Sequence, residues 1–254
     1  MNQHLSSASL KTLAKGQLLG KYGTVVRAAV LMWICILSIH MSVSFLIGTN
    51  TVISVLLYNA AQFLLQLLVG FFLAGEAYIY LKVACGQKPS IGDLFHCFGG
   101  DTSKVLHLQA VSAGISILCS LPAMILGIFA LRSIAQLTEV ELNTGNISGN
   151  AVLFLAYVMI YLAGTIISLY IDLILSQIYY LMLDFPEYSA KQILKMSIQL
   201  MKGHKGRLFY IQLSFIPLLL LSFLSCGIAL LWLYPYMQAT YANFYLDLVR
   251  KKND

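Results

Sequence analysis

The sequence predicts an all-α polytopic membrane protein: six transmembrane helices, with two amphipathic helices that lie at the cytoplasmic interface or re-enter the membrane. Three observations predict it. The 254 residues are 59% hydrophobic and 10% charged, well short of the roughly one quarter charged residues that cover a soluble surface. The apolar residues fall in uncharged runs of the ~20 residues that carry a helix across about 30 Å of hydrocarbon. Every lysine and arginine except Arg132 falls in segments that alternate crossings bring to one side, the asymmetry that holds positive charge in the cytoplasm during insertion.

Residues 1–24 are polar with scattered leucines and carry Lys11, Lys15 and Lys21. They read as a cytoplasmic segment, disordered or lying on the surface. Span one covers 25–47. Its apolar stretch of about 22 residues exceeds the 7–15 or so of a signal-peptide core, and no small-x-small cleavage site follows, so it reads as a retained anchor. Spans two, three and four cover 51–84, 105–131 and 151–183. The last apolar region, Leu208 to Leu248, contains one charge, Asp247, and is too long for a single crossing. Ser225-Cys226-Gly227 divides it into 208–224 and 228–248. A six-helix domain over 25–249 then ends in a basic tail, 250–254. An even number of crossings puts both termini in the cytoplasm and the loop from Arg132 to Asn150 outside. Pro122, Pro217 and Pro235 fall within spans three, five and six, where a missing N–H favours a kink.

Two cytoplasmic connections repeat one plan, a proline followed by a short helix. After Pro89, Ser90 and Asp93 stand at capping-box spacing ahead of Leu94, Phe95 and Phe98, predicting a short apolar helix at or in the headgroup zone. After Pro186, Ala190, Ile193, Leu194, Ser197, Ile198 and Met201 recur at helical spacing, opposite Lys191, Lys195, Gln199 and Lys202. That basic amphipathic helix suits an anionic inner leaflet. Lys191, Lys195, Lys202, Lys205 and Arg207 are the expected headgroup contacts, and Gly203-His204-Lys205-Gly206 is the expected break.

Polar groups within the spans are the functional candidates. Asn59, Gln62 and Gln66 share one face of span two, at spacings of three and four. Ser112 and Ser116 in span three, and Tyr157, Tyr161, Thr165 and Ser168 in span four, offer further polar stripes. These faces either pack helices through hydrogen bonds or line a wet cavity between spans two, three and four. Glu76 lies about 25 residues into span two, roughly 36 Å along at ~1.5 Å per residue. Glu76, Asp172 and His107 are therefore expected at the inner interface, within reach of headgroups, water or lysines.

Dedicated chemistry is hard to find. The five cysteines form no C-x-x-C pair, and no histidine stands at zinc-ligand spacing, so free thiols and no metal or other cofactor are expected. There is no nucleotide loop, G-x-S-x-G elbow or H-E-x-x-H pair, and no segment large enough for a soluble catalytic domain. Basic residues confined to one rim imply lipid rather than nucleic acid as partner.

The stretch from Ser189 to Leu248 contains L-M-K-G-H-K-G-R-L-F, L-S-F-I-P-L-L-L-L-S and C-G-I-A-L-L-W-L-Y-P-Y-M-Q-A-T-Y-A-N-F-Y-L-D-L. It resembles the bacterial integral membrane family catalogued as domain of unknown function 975. S-I-G-D-L-F, Ser90 to Phe95, resembles that family's first cytoplasmic connection. The resemblance implies a six-helix membrane protein and supplies neither catalytic residues nor a substrate. Pro217-Leu218 and Gly206 depart from the glycine, tryptophan and bulky aromatic usual in the family. The expected function is non-enzymatic, through contacts with membrane lipids or an unidentified protein, of an accessory, envelope-stress or immunity type. The alternative is a transporter or channel for a small solute, ion or lipid. A third reading is a lipid-modifying enzyme using Glu76, Asp172 or His107.

Overall fold

The computed structural model describes residues 4–47, 52–135 and 149–250, and every regular element among these is a helix. The helices are α1 (Ser7–Leu18), α2 (Tyr22–Leu46), α3 (Val52–Ala84), α4 (Thr102–Ala135), α5 (Gly149–Leu175), α6 (Ile178–Asp184), α7 (Ala190–Leu200), α8 (Lys205–Leu213), α9 (Ile216–Leu224) and α10 (Leu230–Arg250). A 3-10 helix, Ile91–Phe98, connects α3 to α4. Most of the expected external loop, residues 136–148, and residues 251–254 of the basic tail lie outside the described residues.

Five helical segments among the described residues are long and apolar enough to cross a membrane: Tyr22–Leu46, Ala60–Ala84, Thr102–Gly127, Val152–Asp184 and Lys205–Leu224. That suits a multi-pass membrane protein. The expected sixth span, α10, is not among them. It is a helix of full length, but Tyr234, Tyr236, Gln238, Thr240, Tyr241, Asn243 and Asp247 lower its apolar content.

The chain divides into two compact units, Met1–Ala110 with Leu173–Asp254, and Val111–Asp172. In the first, the core gathers around α10 and the C-terminal half of α3. Phe71, Phe72, Ala74, Ala77, Ile79, Tyr80 and Val83 of α3 are buried, as are Leu233, Ala239, Ala242, Phe244, Tyr245 and Leu248 of α10. The N-terminal segment, expected to be disordered or superficial, is a packed part of this core. Ser6 caps α1 by accepting from Ser9 N–H at 3.1 Å. Leu10, Ala14 and Leu18 form a fully buried stripe at i, i+4 and i+8 against α10, α3 and α8. Gln17 extends the contact, donating to Ala84 O at 3.0 Å and exchanging hydrogen bonds with Asn243 at 3.1 and 2.6 Å.

The connector folds back along α3 as far as Gly75, where a Cβ would stand 1.9 Å from Leu94 O. Only glycine lets the two backbones meet there. The expected capping box is present: Ser90 Oγ accepts from Gly92 N–H at 3.3 Å, and Asp93 Oδ2 accepts from Ser90 N–H at 2.7 Å and from Lys82 Nζ at 2.8 Å. The helix it starts is 3-10 rather than α and runs for eight residues, longer than the 3–4 or so usual for such helices.

Span five is two pieces, α8 and α9, with Pro217 in the first turn of the second, where its missing N–H is harmless. The turn after α9 adopts left-handed backbone at Cys226 and Gly227 (φ 51° and 83°), and Gly203 (φ 85°) ends the segment after α7. In the second unit α4 and α5 run antiparallel: Gly164 meets the Cys119 carbonyl, a built Cβ lying 2.5 Å from it, and Gly127 meets the Tyr157 ring at 3.0 Å. Pro122 lies inside α4.

Candidate functional site

The polar residues of the expected cavity separate into two sets. In the second unit, the antiparallel α4/α5 pair leaves a cleft of about 270 Å³, open on one side, lined by Ser116, Ser120, Tyr161, Thr165, Ser168 and Asp172, with Cys119, Ala123, Gly164 and Leu169. It exists because glycine at 164 brings the backbones together at one level while the hydroxyl stripes hold them apart beside it. Four of the expected cavity residues, Ser116, Tyr161, Thr165 and Ser168, meet here. Ser112 and Tyr157 do not line the cleft; the Tyr157 ring is tilted against Phe154 and Tyr161, with 6.2 Å between centroids in each pair. Asp172, expected beside headgroups or lysines, stands in the cleft wall, and no ion pair to it occurs among the described residues.

Two of the cleft's hydroxyls are oriented. Thr165 Oγ1 donates to Tyr161 O at 2.8 Å and Ser120 Oγ donates to Ile117 O at 3.0 Å. Their protons are engaged on their own helices, so their lone pairs remain as acceptors.

In the first unit, Gln62 accepts from His40 Nδ1–H at 2.7 Å, joining α2 to α3. Gln66 is exposed, and its backbone carbonyl accepts from Gln109 Nε2 at 3.0 Å. Gln109 also accepts from the Tyr179 hydroxyl. The side chain of Asn59 lies outside the described residues. Here the Gln62 side chain serves helix-to-helix hydrogen bonding, and Gln66 contributes its backbone carbonyl.

Glu76 departs from expectation. It is 6% exposed, and one oxygen accepts from Tyr234 OH at 2.8 Å while Oε1 is buried without a partner. No lysine or arginine among the described residues pairs with it. Oε1 belongs to a side chain lining a pocket of about 10 Å³ beside Ala28, Ala29 and Met32, close to the volume of one water. The position along α3 is as expected, but α2, the folded-back connector and α10 enclose this turn. His107 is exposed and donates from Nδ1 to Ser103 O at 2.7 Å, one turn back on its own helix.

The basic set also divides. Lys191, Lys195 and Lys202 are exposed and Lys205 is half-buried. Arg207, expected at the headgroups, turns its guanidinium inward, pairing with Asp247 Oδ2 at 2.6 Å, donating to Leu5 O at 2.6 Å and lying 5.1 Å from the Phe244 ring centre. Asp247 in turn accepts from Leu5 N–H at 3.2 Å and faces His4 Nδ1 at 3.1 Å. One carboxylate thus ties the N-terminal arm to the last helix. Cys97, buried in the connector, has its thiol pushed up from 9.0 to about 11 by burial.

Neither Tyr234 nor Asp247 stands out in sequence as a partner, because each acts on a residue far along the chain or on another element. The one available signal for Asp247 is its solitary charge in a long apolar region.

The match across almost the whole chain decides the family: residues 1–252 fit the family described as "Protein of unknown function (DUF975)". The chain belongs to it. No curated protein and no solved structure matches the chain. The departures at Pro217 and Gly206 therefore sit within a DUF975 chain, and Pro217 is accommodated as a helix-starting residue.

Proposed function

We propose that this DUF975 protein is a six-crossing, non-enzymatic protein of the cell membrane with both termini cytoplasmic, acting through lipid and protein contacts at its basic rim. One observation carries the reading. Helix α7 buries Ile193, Ser197 and Leu200, and Ser197 Oγ donates to Ile174 O at 2.7 Å, while Lys191 and Lys195 on the same helix stay exposed. The helix is fixed to the protein by one side and offers cations with the other. Each lysine close to an anionic surface is worth about 1 kcal/mol. The sixth crossing is supported by the left-handed turn at Cys226-Gly227, which returns the chain as α10 beside α9. The polar residues of α10 suit a span enclosed by protein.

The test is lipid retention by the protein in nanodiscs of phosphatidylcholine with graded phosphatidylglycerol. Simultaneous Lys191→Gln, Lys195→Gln and Lys202→Gln should weaken enrichment of the anionic lipid by up to about two orders of magnitude. Unchanged enrichment refutes the lipid contact. Modification of Lys195→Cys by an impermeant maleimide from outside intact cells refutes the orientation.

A second reading, passage of a small solute, ion or lipid, is favoured by the polar cleft of the α4/α5 pair. Flux in proteoliposomes that Asp172→Asn leaves untouched would dismiss it.

A further inference from the structure

The α4/α5 cleft has a chemistry more specific than polarity. Two of its hydroxyls, Ser120 and Thr165, have their protons engaged on carbonyls of their own helices, so they face a ligand as acceptors. Asp172 adds a carboxylate to the same wall, and Lys and Arg are absent from the lining. The remaining wall is apolar, from Ala123, Leu169 and the bare backbone of Gly164. A cleft with a carboxylate and no Lys or Arg in its lining repels anions, and it leaves a neutral apolar guest with unmatched polar groups around it. A donor-bearing cation satisfies both the lone pairs and the charge. An ionisable residue within an apolar hairpin calls for a partner of opposite charge. The volume of about 270 Å³ is just under the range of roughly 300–1,000 Å³ found for drug-sized ligands, so the guest is small.

We propose that this cleft binds a membrane-soluble organic ammonium ion, a protonated amine on a short apolar body, with Asp172 as its counter-ion. The proposal takes the cleft's location from the second reading above but does not require passage: the site is occupied at equilibrium whether or not the ligand crosses.

The experiment uses the full chain in phosphatidylcholine nanodiscs, with octylammonium as probe, octanol as its uncharged counterpart and octanoate as its anionic one. Empty nanodiscs set the partition background. Calorimetry should show saturable binding of octylammonium alone, weakened about tenfold or more by Asp172→Asn and largely retained by Asp172→Glu. The absence of saturable octylammonium binding, equal binding of octanoate, or an unchanged affinity in Asp172→Asn overturns the proposal. Should Asp172→Asn not fold, the unsubstituted protein still decides. Cys119 lies in the cleft wall, so bound octylammonium should slow its alkylation by a membrane-permeant maleimide several-fold, and an unchanged rate overturns the site. Flux measured separately distinguishes failure of the transport reading from failure of this one.

Discussion

Replacing Gly75 by alanine sets two effects of opposite sign against each other. In a helix interior alanine is favoured over glycine by about 1 kcal/mol, so a Gly75 that faced open space would yield a stabilised protein. The connector makes the opposite outcome the expected one. The new Cβ would lie 1.9 Å from Leu94 O, 2.6 Å from Leu94 C and 3.0 Å from Leu94 Cα, and all three are backbone atoms with no rotamer to yield. The connector must back away by an ångström or more, loosening Leu94 and Cys97, which are 1% and 5% exposed. Full burial of a leucine is worth about 1.5–3 kcal/mol, and overpacking strain runs to about 1–3 kcal/mol. After the helix gain is subtracted, a net loss of up to about 5 kcal/mol remains, and at least about 1.5 if Leu94 is fully loosened. Gly16 of α1, which has nothing within 4 Å of a built Cβ, is the control and should gain up to about 1 kcal/mol as alanine. Thermal unfolding in detergent, followed by mass-spectrometric labelling of Cys97, reads both. Gly75→Ala as stable as Gly16→Ala, with Cys97 no more reactive, would refute the folded-back connector.

The Glu76–Tyr234 contact predicts that Tyr234→Phe costs about 1–3 kcal/mol, because the buried carboxyl then has no partner at all. Adding Glu76→Leu should recover most of that, and additivity of the two losses in a double-mutant cycle would count against the pairing. Helix α7 depends on Ser189, whose Oγ accepts from Gln192 N–H at 3.4 Å while Gln192 Oε1 accepts from Ser189 N–H at 2.8 Å. Ser189→Ala should weaken the helix by about 1 kcal/mol and speed tryptic cleavage after Lys191 and Lys195 several-fold, whereas Ser189→Asp should not. Cys97 and Cys85 should separate in alkylation at pH 8. Cys85 is exposed, whereas Cys97, at about 11, has only about one thiol in a thousand ionised. The Cys97 rate should climb with pH toward 11. The neutral buried thiol favours the fold below the unfolded value near 9 and loses that advantage as pH rises through about 11. A Cys97 rate equal to that of Cys85 at pH 8 would contradict its burial.

What the sequence discloses here is what neighbouring residues decide among themselves. Ser90 and Asp93 sit three apart, so their capping box is readable without a fold. Cys226, Gly227 and Gly203 carry left-handed backbone that a helix cannot use, and the breaks fall there. The buried face of α7 is periodic, and Ile193, Ser197 and Met201 were legible in its stripe; exposed Ile198 was not separable from them, because periodicity gives a face and not its edges. Helix α1 was obscured for a related reason: a stripe as thin as Leu10, Ala14 and Leu18 becomes a core only when α10 supplies the other half.

Charge was the least legible feature, since its meaning depends on enclosure. Depth along a helix locates Glu76 well, yet depth becomes exposure only if nothing covers that turn. The connector covers it because residue 75 has no side chain, and the carboxyl's partner, Tyr234, lies 158 residues away. Arg207 follows the same logic in reverse. A cation beside four exposed or half-buried lysines reads as part of the rim, but Asp247 draws it inward and fastens the N-terminal arm there. Removing Asp247 as Asp247→Asn should therefore free the arm rather than weaken the rim. Proteolysis before α1 should quicken several-fold while anionic-lipid enrichment stays as it was. The reverse pattern would return Arg207 to the headgroups.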